Sequence, residues 1–280
     1  MTSPRTSCIA LLDVDHTLVL YNDTLNLPLL TALLDKEITR IYLFTDMNFH
    51  VLAIMDRNKL IKELEEMGFS VQGVITPSDV VWNTIDATEA VKLHHWCSTA
   101  KKYSGTFYGE EFDTFLAAHT LDFPNISKLS STYAPEKGEI SSGYAEACME
   151  YHRTETLSDA IKIKSIFAKA LCDHLANKCG YAHNKGLLLD LFLFHLPSWV
   201  KSIVVVDDNK TVCQDITNFR PVSLSPSAAE LHHHDFSSSS SLSPPSLVLS
   251  PPLKISMIPV TSHNLNTSYY SDKLRAHCHS

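Results

Sequence analysis

Residues 11–18 read LLDVDHTL and carry the most informative pattern for predicting the fold. An apolar run ends there in two carboxylates one residue apart, Asp13 and Asp15, and Thr17 follows. Residues i and i+2 of a strand point to the same side. Two like charges side by side are unfavourable unless a cation or a shared proton offsets them. The stretch therefore predicts a strand whose end carries a metal site, a nucleophile with its acid/base partner, or both.

Two other kinds of Asp-x-Asp segment fit this stretch less well. A calcium loop of the EF-hand kind needs further oxygen ligands, a turn glycine and a closing Glu, whereas apolar Leu18, Val19 and Leu20 follow here. A plain exposed turn is disfavoured because apolar residues flank the acids on both sides. The catalytic interpretation is therefore favoured over both alternatives.

Three further apolar runs are typical of parallel strands that are buried on both faces. These runs and the residues after them are 41–44 with Thr45 and Asp46, 71–75 with Thr76, and 203–206 with Asp207 and Asp208. Helices are expected over residues 28–36 and 49–67, the second ending at Gly68. Ligands of open α/β sheets bind beyond the carboxyl ends of the strands. We predict an α/β fold, doubly wound and mostly parallel, whose polar strand ends converge on one pocket.

The order of these motifs resembles the haloacid dehalogenase (HAD) superfamily. Its signature is Asp-x-Asp-x-Thr, a strand-terminal Thr or Ser, a Lys and an acidic pair. Residues 13–17 match the first motif, Thr45 the second, Lys185 the third and residues 207–209 the fourth. The likeness covers about 1–77 and 160–224 and includes similarity to HAD-type phosphatases of intracellular bacteria. The first and fourth motifs are specific, whereas Thr45 and Lys185 gain weight from their position.

The resemblance implies a HAD-like Rossmannoid core and a Mg²⁺-dependent phosphohydrolase that forms an aspartyl-phosphate. A carboxylate such as Asp13 can attack phosphorus, and Asp15 would protonate the leaving oxygen and then activate water. The Mg²⁺ ligands implied by the family are Asp13, the backbone carbonyl of Asp15 and Asp207. Asp208 would either join these ligands or support them from behind.

Thr45 and Lys185 are the expected phosphate-binding residues. Thr45 would hydrogen-bond a phosphate oxygen, and Lys185 would offset the charge of the phosphate and of Asp13. Thr45 also suits a helix N-cap, and Lys185 also suits a solvated surface. The rival lysines are Lys162, Lys164 and Lys178. Lys185 is preferred because it opens the apolar stretch 187–196, which is typical of the helix before the fourth strand.

Asp15 also separates the branches of the family. The dehalogenase branch lacks a carboxylate here, so its presence favours phosphate chemistry. Phosphatases and phosphomutases share all four motifs, and a catalytically weak protein-binding module stays open as well. The substrate is open among phosphopeptides, sugar phosphates, nucleotides and lipid head groups. His16 stands where many relatives carry Gly, and it either narrows the entrance, contacts substrate or does neither.

An insertion and a tail interrupt the predicted core, which comprises 1–77 and 158–224. Residues 78–157 are polar and aromatic, and by the HAD resemblance they form a cap that selects the substrate; their aromatic residues mildly favour a flat group such as phosphotyrosine. A long surface excursion is the alternative, although unstructured loops of that length are uncommon. Residues 225–280 are rich in Ser, Pro and His and are predicted to be disordered. The cap or the tail would engage any protein partner.

Composition narrows the class of protein further. The chain has 280 residues, a formal net charge of −8 and seven cysteines. The negative charge argues against nucleic acid as a partner. Scattered cysteines without Cys-x-x-Cys spacing fit free thiols in a reducing compartment. No apolar segment approaches the roughly 18 residues of a membrane helix, and no signal peptide is visible. We expect a cytoplasmic protein without a transmembrane segment, and leave open a signal for translocation into another cell.

Overall fold

A single parallel sheet organises the protein. The computed structural model describes residues 7–80, 143–193, 199–219, 253–262 and 264–278, together with positions 82, 88, 91 and 196. Its strands are β1 (Cys8–Leu12), β2 (Arg40–Phe44), β3 (Ser70–Ile75), β4 (Ser202–Asp207) and β5 (Lys254–Pro259). Their spatial order is β3-β2-β1-β4-β5, and all four neighbouring pairs are parallel. This arrangement confirms the predicted α/β fold with a doubly wound sheet.

Helices flank the sheet. In chain order, the described helices are α1 (Leu27–Asp35), α2 (Val51–Glu66), α3 (Gly143–Thr154), α4 (Asp159–Lys178), α5 (Asn184–Leu193), α6 (Lys210–Thr217) and α7 (Thr267–Cys278), and a 3₁₀ turn spans Pro77–Val80. The first two agree with the predicted helices within two residues. Gly68, with φ of +98°, follows α2 in the left-handed conformation that glycine adopts readily.

Side chains of the central strands alternate between two hydrophobic layers. In β1, Ile9 and Leu11 pack with the layer that contains α4, α5 and α6, whereas Ala10 and Leu12 face the layer of α1, α2 and α7. Strand β4 divides its β-branched residues in the same way. Because both faces are covered, these strands carry continuous apolar runs, as the sequence pattern predicted.

The C-terminal segment corrects one prediction. Disorder was expected over 225–280, but Lys254–Pro259 forms β5 and Thr267–Cys278 forms α7. Tyr270 and Leu274 of α7 are fully buried. These two side chains bury the apolar surface that folding requires. The prediction missed them because it was based on the Ser/Pro-rich composition of the whole segment. Residues 220–252 lie outside the described residues, so their predicted disorder stays a prediction.

Only the two ends of the predicted cap fall within the described structure. Helix α3 packs against α2 and the 3₁₀ turn, and its Tyr144 and Ala147 join the same hydrophobic layer as α1. Trp82 lies in this layer and donates a hydrogen bond from Nε1 to Glu146. Most of 83–142 lies outside the described residues, so the cap as a whole stays a prediction.

None of the helices in the described ranges combines the length and the apolar character needed to cross a bilayer.

The buried face of α7 generates a stability prediction. Leu274→Ala should lower the free energy of unfolding by about 2–5 kcal/mol, because it opens a cavity beside α1. Asp272→Ala is the matched control, since the Asp272 side chain is 74% exposed on the same helix and should change stability by less than about 0.5 kcal/mol. Urea unfolding measures both. Equal, negligible effects would mean that α7 does not belong to the folded core.

Candidate functional site

The site lies where the connections of the sheet change direction. From β1 the chain runs outward through β2 and β3, and it later returns to place β4 on the other side of β1. Leu12 pairs with Val206 across these two strands, and the Asp13 amide donates to the Val206 carbonyl at 2.9 Å. Asp13 and Asp207 therefore end neighbouring strands at the topological switch point, where open α/β sheets bind their ligands.

Three carboxylates meet there. Oxygen atoms of Asp13, Asp207 and Asp208 lie within 4.8 Å of one another. Asp207 is fully buried, Asp13 is nearly so, and Asp208 is half-buried. A set of this kind offers oxygen ligands alone, which suits a hard divalent cation such as Mg²⁺. The structure thus brings together the three carboxylate side chains that the sequence predicted as metal ligands.

Lys185 bridges two of these acids. Its Nζ lies 2.6 Å from Asp13 Oδ1 and 2.7 Å from Asp207 Oδ2, and the residue is 3% exposed. Lys185 is the second residue of α5, and the predicted helix 187–196 begins earlier than expected, at Asn184. The earlier start places the lysine on the first turn of the helix, beside the carboxyl edge of the sheet.

Two of the three rival lysines make contacts away from the acidic cluster, and the side chain of the third is not described. Lys162 pairs with exposed Asp159 at 2.8 Å. The ammonium of Lys164 lies 4.3 Å from the centre of the Trp82 ring. The side chain of Lys178 lies outside the described residues. Among the predicted lysines whose side chains are described, Lys185 is the one that contacts the acidic cluster.

Charge and burial act against each other in this cluster. Burial raises the pKa of Asp13 and of Asp207, although the Lys185 ammonium opposes the shift. Burial also raises the pKa of Asp208, the charge of Asp13 raises it further, and His16 acts in the opposite direction. Burial lowers the pKa of Lys185, but the two carboxylates outweigh it and the pKa is raised. When all three carboxylates are ionised, one ammonium leaves a net negative charge, which an additional divalent cation would offset.

Thr17 holds the second oxygen of Asp13. Its hydroxyl donates to Asp13 Oδ2 at 2.9 Å, opposite the oxygen that Lys185 contacts. The amides of Thr17 and Leu18 both donate to the Val14 carbonyl, so a tight turn follows the strand. Both oxygens of the predicted nucleophile are therefore oriented by side chains of the protein.

The Asp15 side chain is not one of the three clustered carboxylates, and it has a partner that sequence reasoning missed. Its side chain is 66% exposed, and Arg57 Nη2 donates to both of its oxygens at 3.0 Å. Arg57 is buried in α2 between Ile54 and Leu60. The available signal was an arginine at an apolar position of an amphipathic helix. The predicted contact of the Asp15 carbonyl with a metal stays a prediction.

Thr45 directly follows β2. Leu12 pairs with Leu43, so the ends of β1 and β2 are adjacent and Thr45 lies one residue beyond the level of Asp13. The alternative that Thr45 caps the next helix is wrong, because α2 begins at Val51 with His50 as its N-cap. Its Oγ1 is buried without a hydrogen-bond partner among the described residues. An unpaired buried hydroxyl at this edge suits a polar ligand.

A second polar cluster anchors the helix that carries Lys185. Asn184 Nδ2 donates to Asp46 Oδ1 at 3.1 Å and to Asp173 Oδ1 at 2.6 Å. Lys169 contacts both of these acids, at 2.7 Å and 3.3 Å. Asp46 directly follows Thr45, so the cluster ties the end of β2 to the first turn of α5. The position of Asp46 at a strand end was visible in the sequence, but its partners were not.

No protein-family model, no curated protein and no solved structure matches this chain. The resemblance to the HAD superfamily therefore rests on the motifs and their geometry, and it stays a hypothesis.

The bridging ion pairs generate a prediction. Lys185→Met should lower the free energy of unfolding by about 3–5 kcal/mol, because two buried carboxylates lose their partner. Burial already raises the pKa of both acids, and removing the ammonium raises these values further. The loss of unfolding free energy relative to the wild type should therefore shrink as the pH falls through the pKa values of Asp13 and Asp207, because the two acids then take up protons. Urea unfolding at several pH values measures it. Lys162→Met is the control, and an equal effect there would contradict a special role for Lys185.

The three carboxylates generate a second prediction. Mg²⁺ should raise the thermal unfolding midpoint of the protein at constant ionic strength, with about 2.7 kcal/mol gained at one hundred times the dissociation constant. Asp207→Asn should abolish most of this shift, whereas Asp56→Asn, an exposed change on α2, should leave it intact. Differential scanning fluorimetry gives the shifts, and calorimetric titration gives the affinity. A shift of the same size in Asp207→Asn would place the ion elsewhere.

Proposed function

We propose that this protein is a Mg²⁺-dependent phosphohydrolase of the HAD type that cleaves phosphomonoesters through an aspartyl-phosphate on Asp13. The observation that carries the proposal is the environment of that carboxylate. Asp13 is buried at the switch point, oriented by Lys185 at 2.6 Å and by Thr17 at 2.9 Å, and lies within 4.8 Å of two further carboxylates.

Mg²⁺ is the cofactor that best fits the donor set. The side chains of Asp13, Asp207 and Asp208, with the backbone carbonyl of Asp15, would hold it. When bound, the ion neutralises charge on the phosphate oxygens and on the clustered carboxylates. Support comes from the oxygen-only ligands and from the negative charge that one lysine leaves uncompensated.

The chain's own residues would carry out two displacements at phosphorus. In the first, a carboxylate oxygen of Asp13 bonds to phosphorus, the bond to the leaving oxygen breaks, and Asp15 donates a proton to that oxygen. In the second, Asp15 removes a proton from water, the water oxygen bonds to phosphorus, and the Asp13 carboxylate is released together with inorganic phosphate. The exposed position of Asp15 suits contact with both a leaving group and water.

Three groups would position the phosphate and the acid. The Lys185 ammonium offsets the negative charge that collects as phosphate approaches Asp13. The unpaired hydroxyl of Thr45 would donate a hydrogen bond to a phosphate oxygen. Arg57 would fix the position of the Asp15 carboxyl group through its contacts at 3.0 Å with both oxygens.

Substitution of the nucleophile tests the proposal. Asp13→Asn should reduce turnover of p-nitrophenyl phosphate in the presence of Mg²⁺ by at least about a thousandfold, because the amide cannot form the acyl phosphate. Asp35→Asn, an exposed change at the end of α1, is the matched control and should retain full activity. Release of inorganic phosphate is the measurement.

The other outcomes of this experiment are equally informative. Turnover that Asp13→Asn leaves unchanged would remove Asp13 as the nucleophile. Transfer of phosphate to a second hydroxyl, without release, would indicate a phosphomutase or phosphotransferase. An inactive wild-type protein across phosphopeptides, sugar phosphates, nucleotides and lipid head groups would favour a binding module instead.

A further inference from the structure

A cavity of about 680 Å³ adjoins the acidic cluster. It shares Asp208 with that cluster and begins at His16, the residue after the predicted acid/base. Its lining also includes Pro259, the last residue of β5, and Val260, which follows it. The volume lies within the range of small-molecule sites in proteins. A ligand in the cavity would thus extend away from phosphorus along the carboxyl edge of the sheet.

An aromatic pair forms part of the cavity lining. The rings of His16 and Tyr21 stack with centroids 3.8 Å apart and planes 14° apart. Tyr21 is 77% exposed, so the face of its ring turned away from His16 is open. His16 adopts φ of +64°, a left-handed conformation in which histidine is found more often than most other side chains. His16, Tyr21 and Asp208 line the same cavity, so the stacked rings give it an aromatic surface.

The rest of the lining is mixed in chemistry. Leu20, Val260 and Leu265 supply apolar surface. Gln214 and Lys210, both from α6, supply an amide and an ammonium. Apolar walls with a few polar groups are the usual pattern of a small-molecule site, in which the polar groups fix the orientation of the ligand. A planar ring whose edge carries hydrogen-bonding atoms would use all of these features.

We propose that this cavity receives the leaving group of the substrate and that the substrates are nucleoside monophosphates. The proposal rests on the proposed phosphohydrolase function and adds the substrate class. The base would stack on the open face of Tyr21, and its polar edge would meet Gln214 and Lys210. A phosphotyrosine peptide fits less well, because its phenol ring bears no polar atoms on its edge for these groups to bind.

Turnover of two matched substrates tests the inference. Adenosine monophosphate and ribose phosphate share the phosphate and the sugar, but only the nucleotide carries the planar base. Full-length wild-type protein with Mg²⁺ should show a kcat/KM at least about tenfold higher for the nucleotide, since stacking on an aromatic side chain contributes a factor of this order. Tyr21→Ala should remove most of that preference by lowering kcat/KM for adenosine monophosphate, while kcat/KM for ribose phosphate stays the same. Leu52→Ala, a 65% exposed apolar change on α2, is the control and should preserve it.

Binding separates this inference from the proposed function. Calorimetric titration with adenosine, which carries no phosphate, should give an affinity that Tyr21→Ala weakens about tenfold and Leu52→Ala does not. Such binding in a protein that hydrolyses no phosphomonoester would refute the phosphohydrolase function, and with it the assignment of the nucleotide as substrate. Equal kcat/KM for the two matched substrates, a preference unaffected by Tyr21→Ala, or faster turnover of a phosphotyrosine peptide would overturn the inference.

Discussion

The pair of contacts from Lys185 to Asp13 and Asp207 is the constraint on which the site depends. Parallel pairing of β1 with β4 brings both acids to one buried edge, where two carboxylates repel each other strongly. An ammonium within 2.7 Å of each makes this arrangement compatible with folding. The same arrangement suits the proposed metal site, because Lys185 supplies one positive charge for two buried carboxylates and a second cation would offset the remaining negative charge.

Support for these contacts extends outward in layers. Asn184 ties the start of α5 to Asp46 and so keeps the bridging lysine in place. Thr17 fixes the remaining oxygen of Asp13. Arg57 reaches from α2 to the one acid of the motif that stays at the surface. The result is a buried Asp13 whose two oxygens are both hydrogen-bonded, followed two residues later by an exposed Asp15.

The C-terminal segment contributes to both stability and the site. Strand β5 pairs with β4 through the level of Asp207, and α7 packs on α1. Asn26 links α7 to the turn that follows β1, since its Nδ2 donates to the Thr17 carbonyl at 3.0 Å and lies 3.2 Å from the Tyr270 hydroxyl. The residues after β5 then form the wall of the cavity beside Asp208. A segment rich in Ser and Pro overall thus completes the sheet.

Local patterns were sufficient for β1 to β4 and for the acids at or just after the ends of β1, β2 and β4. In β1 and β4, burial on both faces imposes a continuous run of β-branched or other apolar residues. Strand β5 escaped detection because its local sequence pattern is interrupted. It follows Pro251-Pro252, and its Ser256 is buried in the position where an apolar residue would have marked the pattern. Helix α7 escaped because few of its residues are buried.

Residues adjacent in the chain were enough to predict the α/β fold and the acids Asp13, Asp207 and Asp208 at the strand ends, because a buried strand and the polar residues after it form one local pattern. The location of the switch point, the bridging contacts of Lys185 and the contact of Arg57 with Asp15 became visible only in the folded protein. The contact between Lys185 and Asp13 joins positions 172 residues apart, and that between Arg57 and Asp15 joins positions 42 apart. Such pairs depend on how helices pack on the sheet, and no periodicity along the chain encodes that packing.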